Sequence, residues 1–140
     1  MFKRIIWATD GSEAADRALP IVRDLGSTGA TVTVMHGHEF AVAPHAPSQP
    51  VHPDELARTE KIERQLQELR SAGVDAEIRF ESGAGVGAAT MIVDAARAFG
   101  ADLIVVGTRG YGAVRGMVVG SVTQRLLHVA DCPVLVVPAS

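Results

Sequence analysis

Leu103-Ile104-Val105-Val106-Gly107-Thr108-Arg109-Gly110 is an apolar run that breaks into glycine, and nine residues later Gly120-Ser121 follows. Four consecutive apolar residues without polar alternation mark a strand covered on both faces, as in a parallel sheet sandwiched between helices. On the C-terminal side of this strand, Ser121 to Ala130 carries Val122, Leu126 and Val129 on one helical stripe, and Pro133-Val134-Leu135-Val136-Val137 follows as a further apolar strand. On its N-terminal side, Ala88, Ile92, Ala95, Ala96 and Phe99 form the inner face of a helix that ends at Gly100, after a turn containing Gly83, Gly85 and Gly87.

Further upstream the same alternation continues. Asp75 to Phe80 alternates polar with apolar residues, as a half-exposed edge strand does. Asp54 and Glu55 open the most polar helix, which runs to about Ala72 with Leu56, Ile62, Leu66 and Leu69 as its stripe. A proline-rich stretch from His38 to Pro53 reads as a loop after the β-branched strand Thr31 to His36. The first strand, Phe2 to Ala8, ends at Thr9-Asp10-Gly11, and Ser12 caps a helix with Ala15, Ala18, Leu19, Val22 and Leu25 inward and Gly26 at its end. Pro20 removes one internal hydrogen bond of that helix and predicts a bend or a later start. Together these elements predict one α/β domain over residues 1–140, an open doubly wound sheet of five parallel strands in the order 3-2-1-4-5, flanked by four helices.

Composition narrows the function. The 140 residues are 47% hydrophobic but only 4% aromatic, which suits valine-rich strands under alanine-faced helices and not a sugar-stacking platform. Thirteen Lys and Arg against sixteen Asp and Glu leave a charge of −3, without the basic surplus that tracking nucleic-acid phosphates demands. No apolar run approaches the ~18 residues of a membrane span, and Met1 to Trp7 is too short for a signal peptide. The lone Cys132 has no internal disulfide partner and reads as a small packed residue. A cytoplasmic protein that binds neither nucleic acid nor membrane is the expectation.

The glycines carry the chemistry. Backbone that must turn sharply against a ligand favours glycine, and three such residues can wrap N–H groups around an anion. Gly120-Ser121 opens a helix whose first N–H groups and dipole also favour negative charge. The pattern is not the lysine-bearing phosphate loop of common NTPases, since no Lys follows the last glycine. Turn glycines and an ordinary N-cap would read the same way, but Asp10 follows strand 1, and in this sheet order strands 1 and 4 are neighbours at the switch point, where ligands settle. Arg109 and Arg115 flank the glycines, a placement that suits contact with phosphate oxygens as well as an ordinary solvated surface. Gly83-Ala84-Gly85-Val86-Gly87-Ala88 matches a dinucleotide fingerprint in the wrong context, after an edge-like third strand. His36, His38, His45 and His52 lack firm metal-ligand spacing and read as scattered histidines.

Three pieces, Ala8-Thr9-Asp10-Gly11-Ser12, Ala101 to Gly110, and Gly120-Ser121-Val122-Thr123 with Cys132 to Pro138, make the chain resemble the universal stress proteins along essentially its whole length. Its Gly107-x2-Gly110-x9-Gly120-Ser121 matches every specified position of the family's pattern for the ATP-binding branch. The resemblance implies that Gly107, Gly110, Gly120 and Ser121 hold the phosphates, with Arg109 beside them and the Val122 backbone nearby. It places Asp10 at the ribose or the metal-phosphate region, and Ala8 and Thr9 on the adenine side. Where the family has a branched apolar residue after the strand 2 histidine, His36 is followed by Gly37, which offers backbone groups to adenine but no side chain.

The resulting expectation is an ATP-binding regulatory module of the stress response, with Mg2+ or Mn2+ accompanying the nucleotide and Asp10 as the one protein carboxylate near it. No general base is placed at the γ-phosphate, so no catalytic residue is expected and hydrolysis is slow or absent. The alternative is an adenine-nucleotide α-hydrolase-like enzyme that adenylates a substrate, for which a second substrate pocket is needed; a third is a structural dimer module that binds no nucleotide, against which the complete glycine pattern argues. No motif identifies a downstream protein partner. Val134, Leu135, Val136 and Val137 end the sheet as an uncharged edge, which invites antiparallel pairing with a second copy, as the resembling family commonly assembles.

Overall fold

The computed structural model describes residues 2–38, 53–82, 87–107 and 121–138. Five parallel strands, β1 (Arg4–Ala8), β2 (Thr31–His38), β3 (Asp75–Ser82), β4 (Leu103–Gly107) and β5 (Val134–Val137), form one sheet in the order β3-β2-β1-β4-β5, as the sequence predicts. The helices are α1 (Glu13–Asp16), α2 (Leu19–Gly26), α3 (Pro53–Ser71), α4 (Ala88–Phe99) and α5 (Ser121–Val129). The predicted first helix is thus two segments: α1 closes after one turn, and α2 starts at Leu19 with Pro20 in its first turn, where a missing N–H costs nothing.

Each face of the sheet buries its own core. Ile5, Trp7, Val32, Val34, Leu103 and Val105 pack beneath Ala18 and Val22 of the α1–α2 region and Ile62, Leu66 and Leu69 of α3. Ile6, Met35, Ile104 and Val106 point the other way, onto Ile92, Ala95 and Ala96 of α4 and Leu126 of α5. Alternate residues of β1 and β4 therefore serve opposite layers, and Leu103 to Val106 are all buried.

Asp102 fixes the start of the central pair. Its carboxylate accepts the backbone N–H of Lys3 at 2.8 Å and of Arg4 at 3.0 Å, while its own N–H donates to the Arg4 carbonyl at 2.9 Å. Partial burial works against the charge, but the two N–H donors outweigh it and hold the Asp102 carboxyl below the usual carboxylate range.

Two expectations need correction. Leu56 and Val129, placed on inner stripes, are 55% and 37% exposed, and each lies near a helix end. In α5 the buried position beside Leu126 is Thr123 instead. β2 runs two residues past His36, since Gly37 and His38 pair with Glu81 and Ser82 of a longer β3, so His38, expected in the loop, belongs to the strand end. Gly26 ends α2, as the sequence predicts, and it also permits close approach, since a Cβ there would meet a Val74 methyl at 2.5 Å.

Candidate functional site

The carboxyl ends of β1 and β4 lie side by side, with Trp7 opposite Val105, so Ala8 and Thr9 emerge next to Val106 and Gly107. Thr9 extends the β1–β2 ladder by one bond, donating its N–H to the Met35 carbonyl at 2.9 Å. Its own carbonyl accepts Nδ1–H of the buried His36 at 2.9 Å. A carbonyl can only accept, so Nδ1 carries the proton and the ring is committed to structure at this nitrogen. The His36 ring also meets Phe80 edge to face, with centroids 6.2 Å apart. Among the described residues no three His, Cys, Asp or Glu side chains gather into a metal-holding group. His45 and His52 lie outside the described residues.

Beyond β1 the chain makes a tight, side-chain-closed turn. The Gly11 N–H donates to Thr9 Oγ1 at 3.1 Å, and the Ser12 N–H donates to Asp10 Oδ1 at 2.9 Å. Gly11 has φ +78°, a left-handed conformation that a side chain would strain. Ser12 then caps α1, its Oγ accepting the Ala15 N–H at 3.2 Å, as the sequence predicts. Asp10 is half-buried at the rim of this turn.

On the β4 side, Thr123 Oγ1 donates to the Gly107 carbonyl at 2.8 Å and brings the start of α5, Ser121 and Val122, against the end of β4. The first N–H groups of the nine-residue α5 thus lie beside the end of β4, and a helix N-terminus favours negative charge. Ala8, Thr9, Asp10, Gly107, Ser121 and Val122 are brought together here, and Gly37 lies at the end of β2 on the same edge of the sheet. Arg109, Gly110, Gly120 and Arg115 lie outside the described residues, as do Gly83 and Gly85 of the dinucleotide-like fingerprint.

Sequence reasoning missed a second layer behind the turn. Lys61 of α3 donates from Nζ to the Gly11 carbonyl at 3.0 Å and forms an ion pair with Asp16, whose Oδ1 accepts Gln65 Nε2–H at 2.8 Å. The only available signal was the spacing of Arg58, Lys61 and Gln65 along one face of a polar helix, and that spacing also describes a solvated surface. Cys132 is half-buried; burial pushes its thiol up, with the Asp102 and Asp131 carboxylates adding to the shift, which favours the protonated thiol.

An open parallel sheet in the order β3-β2-β1-β4-β5 defines a doubly wound α/β domain whose switch point lies between β1 and β4. The chain belongs to the universal stress protein family, whose family model matches residues 1–138. A solved member of that family from Burkholderia pseudomallei is 29% identical, covers 97% of this chain and 96% of its own, and superposes with a TM-score of 0.67. A universal stress protein from Archaeoglobus fulgidus in complex with dAMP is 21% identical over 98% of both chains, with a TM-score of 0.71. One in complex with cAMP is 22% identical over 99% of this chain and 98% of that one, also at 0.71. At those identities the last two likenesses speak for the fold. No match is found among curated proteins. No helix among the described residues is long and apolar enough to cross a membrane.

Proposed function

We propose that this chain is an ATP-binding member of its family that acts by occupancy, as a regulatory module of the stress response with slow or no hydrolysis. The observation that carries the reading is the convergence of the Thr9–Ser12 turn, the Gly107 end of β4 and the start of α5 at one sheet edge. The adenine nucleotides in the dAMP and cAMP complexes of similarly folded proteins support the ligand class, and the Gly107-x2-Gly110-x9-Gly120-Ser121 pattern supports a polyphosphate. Gly107, Gly110, Gly120 and Ser121, with Arg109 and the Val122 backbone, take the phosphates; Asp10 takes the ribose or the metal-phosphate region; Ala8, Thr9 and Gly37 line adenine.

A single carboxylate is too few ligands for a protein-only cation site, so Mg2+ or Mn2+ arrives with the phosphates, which with water complete its oxygen shell. No general base stands by motif at the γ-phosphate, which favours binding over turnover. A homodimer through the exposed edge of β5, Val134 to Val137, completes the proposal, since β5 ends the sheet and carries no charge to block pairing. Two measurements test the nucleotide reading: mass spectrometry of the nucleotide released from the purified protein, and calorimetry of ATP binding to wild type and Gly120→Val. Adenine nucleotide in the first and lost affinity with unchanged far-UV circular dichroism in the second are expected. Equal affinity of the two proteins would overturn the phosphate cradle.

A further inference from the structure

Helix α3 reaches the β1–α1 turn from behind. Arg58, Lys61 and Gln65, spaced by three and four residues, share one face of α3, and all three bear on residues 11–16. Gly11 lies so close to Arg58 that an added Cβ would sit 3.2 Å from the Arg58 Cβ. Gln65 donates to Asp16, Asp16 pairs with Lys61, and the Asp16 N–H returns to the Ser12 carbonyl at 3.0 Å. Lys61, with 29% of its side chain exposed, is thereby held in place by an anion on one side while it donates to the Gly11 carbonyl on the other.

One peptide plane links that bond to the candidate ligand side. The Gly11 carbonyl and the Ser12 N–H belong to the same peptide group, which is planar, so fixing the direction of one fixes the other. Lys61 holds the oxygen at 3.0 Å, and the opposite N–H donates to Asp10 Oδ1 at 2.9 Å. A cation on the carbonyl also polarises the amide and strengthens the bond its N–H makes. We propose that Lys61 is a positioning residue that orients the Asp10 carboxylate through the Gly11–Ser12 peptide. This deepens the nucleotide reading and rests on it for the ligand that Asp10 meets. It also makes α3 the element that senses the site: whatever nucleotide binding does to Asp10 is felt at Lys61, and a perturbation of α3 at Lys61 alters affinity by the same linkage.

The test is a double-mutant cycle on ATP binding by calorimetry with Asp10→Ala, Lys61→Met and the double variant, and Lys61→Arg as the conservative replacement. Lys61→Met is expected to weaken ATP binding about tenfold, as loss of a charged hydrogen bond does, and to have less than about a twofold effect once Asp10 is gone. Lys61→Arg is expected to recover much of the loss. Hydrogen exchange of the Ser12 amide in the nucleotide-free protein supplies a second readout, expected to quicken about tenfold in Lys61→Met while the β1 amides keep their protection. Wild-type affinity in Lys61→Met, or an equal loss with and without Asp10, overturns the proposal. If wild type itself binds no ATP, the nucleotide reading fails, and the Ser12 amide alone decides: unchanged exchange overturns the positioning role, and faster exchange upholds it.

Discussion

Gly26→Ala is a substitution whose sign the structure reverses. In an exposed helix interior, alanine in place of glycine stabilises by up to about 1 kcal/mol through helix propensity and a smaller unfolded-state entropy. Gly26 ends α2 and is buried against two valines. An alanine Cβ would stand 2.5 Å from Val74 Cγ1, 3.1 Å from Val74 Cγ2 and 3.2 Å from Val32 Cγ2. Neither valine can yield: both are buried, Val32 lies in the middle of the sheet between β1 and β3, and Val74 is tied back by its N–H to the Leu69 carbonyl at 3.0 Å. β-Branched side chains have one favoured rotamer to give up, so relief must come from moving α2 off the sheet. Overpacking of this kind costs about 1–3 kcal/mol, which exceeds the propensity gain and leaves Gly26→Ala less stable by about 1–2 kcal/mol. With ~2.1 cal/mol/K of unfolding entropy per residue over this chain, that is a fall in Tm of about 3–7 °C. Thermal unfolding followed by circular dichroism reads it. Adding Val74→Ala should make the pair of changes cost less than their sum, because the second removes the methyls the first collides with. A Gly26→Ala protein as stable as wild type, or more so, would refute the argument from close approach.

Two further outcomes are expected. Asp102→Asn should lower stability by about 1 kcal/mol near neutral pH, where the ionised carboxylate accepts two N–H groups at a partly exposed site. Because the folded carboxyl lies below its ordinary range, that advantage is present above the unfolded-state value and fades as pH falls through the folded one, so wild-type and variant urea midpoints should converge in the acid range below about pH 4. Light scattering of the purified chain is expected to give twice the 14.7 kDa protomer mass, and Val136→Lys a protomer, if β5 is the dimer edge; a wild-type protomer at micromolar concentration refutes the dimer.

The sheet was legible because its strands differ in kind. The Leu103–Val106 run is buried as a central strand should be, and the alternation of Asp75–Phe80 marks an edge, whereas the equally unbroken Val134–Val137 run forms the other edge and is placed by its position in the chain and not by its pattern. Pattern fails near helix ends: Leu56 and Val129 obey the period of α3 and α5 yet are exposed, the one in the first turn of α3 and the other the last residue of α5. Gly26 shows a second limit. A glycine at the end of an apolar stripe reads as a stop signal, and nothing local distinguishes that from a glycine kept small by a valine 48 residues away. The break at Pro20 was legible in kind, since a missing N–H is tolerated only in a first turn, and the chain places it there by beginning α2 at Leu19.

The candidate site divides along the same line, between what backbone geometry demands of residue type and what a side chain does to a distant peptide. Asp10, Gly11 and Ser12 are legible because each position restricts its occupant: an Asx-type acceptor, a left-handed φ and a cap. Thr123 and Lys61 are illegible for the opposite reason. Each acts on a carbonyl, Gly107 and Gly11, and every residue has a carbonyl, so the partner leaves no mark in the sequence. The two together clamp both sides of the crevice from outside, α5 onto β4 and α3 onto the turn after β1. Side-chain donors onto backbone carbonyls thus brace the ends of both central strands from neighbouring helices.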